Sequence, residues 1–188
     1  MRTRQSRRWE IYLLSLALAV GAAGCGTEPE AATRPLTGRA AAPATHSAEA
    51  EKEAEKAALA AYSGYLDASR AASARSDPSH PALARFLADP LLTRVRMAIL
   101  DAKEHGAMRT GKLVSDPTVV SVDLTARPPT VEIQDCLDAS GYRLVYAKDR
   151  KAVPGTRGGR YLATATAVRF PDGRWLINGG AAHQDQPC

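Results

Sequence analysis

The chain has 188 residues, 25 basic against 20 acidic, with a formal charge of +5 and an isoelectric point near 9.3. Four of the arginines and one glutamate fall in residues 1–24, which leaves 21 basic and 19 acidic residues beyond them, a formal charge of +2. The basicity is therefore concentrated at the N-terminus, and the remainder is too nearly neutral to point to a nucleic-acid partner.

Arg2, Arg4, Arg7 and Arg8 precede an apolar run from Ile11 to Ala23. A basic segment, a short apolar segment and small residues in that order form the pattern of an export signal. The run spans 13 residues, short of the roughly 20 that cross a bilayer as a helix. Its end, Ala22-Ala23-Gly24-Cys25, resembles the lipobox of bacterial lipoproteins, although Ala22 stands where Leu is commoner. The resemblance implies cleavage before Cys25 and lipidation of its sulfur, with each buried methylene contributing about 0.8 kcal/mol to anchoring. An ordinary signal peptide with an incidental Cys25 is the alternative. Ser6-Arg7-Arg8 hints at twin-arginine export, but Glu10 stands where that motif prefers an apolar residue.

Residues 25–46 are rich in Ala, Thr, Pro and charge, with Leu36 their lone large aliphatic side chain. Such a stretch cannot offset its ordering entropy and reads as a disordered tether. About twenty residues of it hold the domain roughly 25 Å from the anchor. The Ala-, Arg- and Gly-heavy composition resembles that of high-GC actinobacterial proteins. That places the expected anchor on the extracytoplasmic face of the cell membrane. Residues 47–188 suffice for one domain.

Ser47 can cap a helix with Glu49 and Glu51 in its first turn. Ala54, Ala57, Ala58, Ala61, Tyr62, Tyr65, Leu66 and Ser69 then recur at helical spacing, and the helix should end before Asp77-Pro78. Pro81 can start a short helix over Leu83, Phe86 and Leu87 that stops at Asp89-Pro90. A third carries Leu91, Leu92, Val95, Ile99 and Ala102 on one face, with Gly106 as its cap.

The period then changes to two. Val120, Val122 and Leu124 alternate with Val119, Ser121 and Asp123. A second strand, Thr130–Leu137, sets Val131, Ile133 and Asp135 on one face and Gln134 and Cys136 on the other. Strands over Tyr142–Ala147, Tyr161–Phe170 and Arg174–Asn178 follow, the last two joined by the turn Pro171-Asp172-Gly173. Helices first and an antiparallel meander after them give an α+β class.

Once Cys25 is set aside, Cys136 and Cys188 remain, and an even count in an exported chain points to a disulfide; two unpaired thiols are the alternative. No Cys-x-x-Cys, nucleophile elbow, phosphate loop or dinucleotide fingerprint occurs, and His46, His80, His105 and His183 form no ligand pair. Neither a cofactor nor a metal site is expected.

The long Ala/Tyr-rich first helix, Gly106 and Gly111, the strand Val131 to Asp138, the hairpin Asp172-Gly173-Arg174-Trp175 and Cys188 together resemble the small exported NTF2-like domains of actinobacterial lipoproteins. The resemblance covers about residues 48–188 and implies a cone: N-terminal helices packed on a curved antiparallel sheet around a conical pocket. Tyr62, Tyr65, Asp135, Tyr142 and Trp175 are the pocket candidates. In enzymatic relatives of the isomerase or cyclase type an Asp in the cone is a general base, a role Asp135 could fill. With no His or Tyr partner identifiable, the strand-end reading is favoured, in which Asp135 and Asp138 take turn or backbone hydrogen bonds. Trp175 is expected to stabilise the hairpin by burial against the first helix. Lys148, Arg150, Lys151, Arg157 and Arg160 make a basic loop, either solvated or in contact with anionic lipid. The function expected is a lipid-anchored, non-catalytic binding module for an envelope protein or a small apolar ligand. The alternatives are the Asp135 enzyme and a homodimerising subunit of an envelope assembly.

Overall fold

The computed structural model describes residues 46–156 and 158–188. The expected export signal, Cys25, the expected tether up to residue 45 and Arg157 lie outside them. Ala41–Cys188 forms a compact unit of its own, and the described core and the disulfide lie entirely within it.

Helix α1 runs Ala48–Ala74. The Ser47 side chain accepts from the Ala50 amide at 3.2 Å, which satisfies one of the orphan donors of the first turn. The helix ends in a turn through Ser76, whose φ of 49° is supported by the Asp77 amide donating to Ala72 at 3.0 Å. Helix α2 is a single turn, Leu83–Phe86. It stops short of Asp89-Pro90 because Leu87 leaves the helix and bridges to Ile177 of the sheet. Phe86 packs against α1 at Gly64, where a Cβ would run into its ring, so glycine is what lets the two elements touch. Helix α3 spans Leu91–Glu104. Asp89 accepts from both the amide and the hydroxyl of Thr93 at its start, and Gly106, at φ 63°, follows its end.

The strands are β1 (Ala107–Gly111), β2 (Pro117–Asp123), β3 (Thr130–Asp138), β4 (Tyr142–Tyr146), β5 (Arg160–Arg169) and β6 (Trp175–His183). They do not form the expected meander. The main sheet is ordered β2-β3-β5-β6, all antiparallel, while β4 leaves it and pairs with β1 in a two-stranded ribbon. The tight turn after β3, with the Tyr142 amide donating to Ala139, redirects the chain toward β1. There Gly111 (φ 112°) lies so close to the Gly141 carbonyl that a side chain would collide with it.

Two bulges bend the main sheet. Register shifts between Val119 and Ser121 on β2, leaving Val120 unpaired and 56% exposed while Val119 and Val122 pack toward the core. The alternation read from sequence, which grouped Val120 with Val122, is thereby broken. A second bulge at Asn178 shifts β6 against β5. The fold is α+β, with α1 lying across the curved sheets.

The core between them is built from small side chains. Ala54, Ala58, Ala61, Ala68 and Ala72 of α1 are buried, and β5 presents a row of buried alanines at 163, 165 and 167. Val131, Ile133, Leu137 and Ile177 complete the layer from β3 and β6. Close approach of helix and sheet leaves this part of the interior filled. Cys136, on the opposite face of β3, is bonded to Cys188, their Cα atoms 5.8 Å apart. No helix among the described residues is long and apolar enough to cross a membrane.

Candidate functional site

Asp135 faces inward with Val131, Ile133 and Leu137, as strand alternation requires, and is only 2% exposed. Its carboxylate is fully engaged. The Tyr62 hydroxyl donates to Oδ2 at 3.0 Å and the Ser115 hydroxyl to the same oxygen at 2.7 Å. The Asp116 amide donates to Oδ1 at 2.8 Å. Three donors around one buried carboxylate satisfy the charge, the condition on which burial is tolerable. The arrangement ties α1, the segment before β2 and strand β3 together at one point. Burial, and then the adjacent Asp135 charge and hydrogen bond, push the Tyr62 phenol well above the ordinary tyrosine range.

The strand-end reading of Asp135 is thus corrected: the residue lies inside a nine-residue strand and has a tyrosine partner 73 positions away. Asp138 does fit that reading. It accepts from the Ser140 amide at 2.8 Å, and hydrogen bonding from Ser140 holds its carboxyl below the usual range. A general base needs an oxygen that can reach a substrate proton. Both oxygens of Asp135 are committed to internal donors.

Beside this knot lies a cleft of about 290 Å³, walled by Tyr62, Tyr65, Tyr142 and Tyr161 and carrying Arg70 and Arg109. Helical spacing explains the α1 contribution: Tyr62, Tyr65, Leu66, Ser69 and Arg70 fall at intervals of three and four on one face. The Tyr62 and Tyr65 rings meet edge to face, centroids 5.9 Å apart. The phenols of Tyr65, Tyr142 and Tyr161 are all raised, burial being the main cause in each. A second cavity of about 230 Å³ adjoins, under α3, and shares Tyr65, Ser69, Arg109 and Tyr142 with the cleft.

Of the pocket candidates, the structure brings Tyr62, Tyr65 and Tyr142 together on this cleft, with Asp135 behind Tyr62. Trp175 does not line it. Trp175 opens β6, whereas the cleft touches Gly180 to Ala182 at the other end of the strand, roughly 20 Å away at the rise of a β-strand. It is half-buried against the core, in keeping with a folding role. Arg70, Arg109 and Tyr161 were not legible as site residues. Arg109 lies on β1, a strand with no hydrophobic alternation to announce it.

Of the basic loop, Lys148, Arg150, Lys151 and Arg160 are exposed, with Lys151 reaching Asp149 at 3.6 Å. A larger groove of about 690 Å³ runs along Ala152–Thr156 beside Arg143, but loop backbone and small side chains line it and no aromatic does. Among the described residues no group of three His, Cys, Asp or Glu is placed to hold a metal ion.

No known protein family matches the chain, and no curated protein does. Among solved structures it is similar to the crystal structure of the intermembrane space region of chloroplast protein ARC6. The identity is 17% and the TM-score 0.48, over 70% of this chain and 95% of that one. A likeness at that level says nothing of activity or partners.

Proposed function

We propose that the chain is an exported lipoprotein, anchored through Cys25, whose NTF2-like domain is a non-catalytic module that binds a small molecule. The tyrosine-walled cleft carries this reading. It combines aromatic surface with a few polar groups, the make-up typical of small-molecule sites, at the low end of their roughly 300–1,000 Å³ range. The isomerase or cyclase alternative has less support, because the Asp135 oxygens accept from Tyr62, Ser115 and Asp116. The assembly alternative calls for a contiguous apolar face. Among the described residues the exposed large apolar side chains, Met97, Val114, Val120 and Tyr146, belong instead to four separate segments.

Two measurements test the proposal. Mass spectrometry of the protein from a membrane fraction should show an N-terminal Cys25 carrying diacylglycerol; an unmodified Cys25 or cleavage elsewhere would refute the anchor. Titration of Ala41–Cys188 with phenylnaphthylamine, a neutral apolar fluorophore, should give saturable one-to-one binding that Tyr142→Ala weakens. Absence of saturable binding would refute the binding module.

A further inference from the structure

The cleft and the cavity beside it differ in character. The cavity under α3 is walled mainly by apolar side chains, among them Val95, Ile99 and Met108. Arg70 and Arg109 line the cleft, and no Asp or Glu does. Arg70 is part-neutralised, one terminal nitrogen donating to Asp67 at 2.9 Å. Arg109 forms no salt bridge among the described residues. Ser69, on the wall common to both spaces, keeps its hydroxyl buried without a hydrogen-bond partner, and so does Arg70 its Nε. Buried orphans of this kind are uncommon in folded proteins.

We propose that the site takes an amphiphile with a single anionic head. Its head pairs with Arg109 and Arg70 at the cleft, and its apolar body passes between Tyr65 and Tyr142 into the cavity under α3. Resting on the small-molecule reading above, this adds the charge and polarity of the ligand. Arginine suits the task because its planar fork matches a carboxylate, sulfonate or phosphate. Arg109 lines both spaces, so an occupant that spans them needs its side chain to swing aside. The movement is open to an exposed, flexible side chain and would carry the guanidinium onto the head group.

The test compares two fluorophores of like skeleton on Ala41–Cys188: anilinonaphthalene sulfonate and the neutral phenylnaphthylamine. The sulfonate should bind roughly tenfold tighter or more, the factor that one charge-assisted hydrogen bond supplies. Arg109→Gln and Arg70→Gln should each narrow that gap while thermal melts stay unchanged. Equal affinities in the unaltered domain, or a gap that survives both substitutions, would overturn the anionic assignment and leave the small-molecule reading standing. Failure of both probes to bind would overturn the two readings together. Competition then names the source. Displacement of the sulfonate by monomeric dodecanoate indicates a free amphiphile, and displacement only by phosphatidylglycerol vesicles indicates a membrane headgroup. Either result supports the proposal, and displacement by neither overturns it.

Discussion

The Tyr62 hydroxyl donates to the Asp135 carboxylate across 3.0 Å, joining the middle of α1 to the inner face of β3. Because Ser115 and the Asp116 amide donate to the same group, Asp135→Asn replaces an acceptor by an amide nitrogen that must face a donor. A loss of about 2–4 kcal/mol is expected, and about 1–3 kcal/mol for Tyr62→Phe. The two losses should be non-additive in a double-mutant cycle followed by denaturant unfolding. Phenylnaphthylamine affinity of folded Asp135→Asn should match the parent, and a selective loss of binding would give Asp135 a direct part in recognition.

Alkaline titration follows from the tyrosines. Tyr62 is held protonated in the fold above the ordinary value of 10.0, chiefly by burial and then by Asp135. In the unfolded chain the phenol releases its proton near that value, while in the folded chain it does not. Its contribution is therefore complete below pH 10 and declines as pH rises beyond it. Tyr65, Tyr142 and Tyr161 shift in the same direction. Unfolding free energy measured from pH 8 upward should begin to fall near pH 10, and Tyr62→Phe should make the fall shallower.

The Cys136–Cys188 disulfide joins residues 52 positions apart. On the chain-entropy account, closing a loop of that length contributes about 4 kcal/mol. Reduction, or Cys188→Ser, should lower the denaturant midpoint accordingly without changing the fold seen by circular dichroism. Equal midpoints with and without reductant would count against a stabilising role.

The β2 bulge makes two neighbouring valines unequal. Val120 is unpaired and exposed, so Val120→Lys should change stability by no more than about 0.5 kcal/mol. Val122 packs toward the core, and Val122→Lys should cost about 1–3 kcal/mol. A thermal-melt comparison of the two variants checks the register.

These valines also mark where sequence reasoning stopped. Helical periodicity locates α1 and α3, and strand alternation puts Asp135 on the inner face of β3. The Pro171-Asp172-Gly173 turn gave the β5–β6 hairpin, closed by the Phe170 amide on Arg174 at 2.8 Å. Strand β1, Ala-Met-Arg-Thr-Gly, has no alternating pattern and exists through pairing with β4, where Ala107 meets Tyr146. Strand β6 runs on through Gly179 and Gly180, poor strand formers, because β5 supplies the hydrogen bonds. A bulge adds one residue without any compositional sign, so the β2 face could not be read beyond Val119. The bond between Tyr62 and Asp135 is a product of the tertiary fold, and no local spacing encodes it.

The alanine rows of α1 and β5 set the gauge of the molecule. Buried alanines face one another between helix and sheet, and the same helix carries Tyr62, Tyr65, Ser69 and Arg70. Enlarging one buried methyl, at Ala165 for instance, would tilt the helix and so reshape the cleft from a position that never touches its contents. The width of the opening is thus written in the plainest residues of the core, and a descendant of this sequence could retune what it holds while every tyrosine and arginine of the cleft stayed the same.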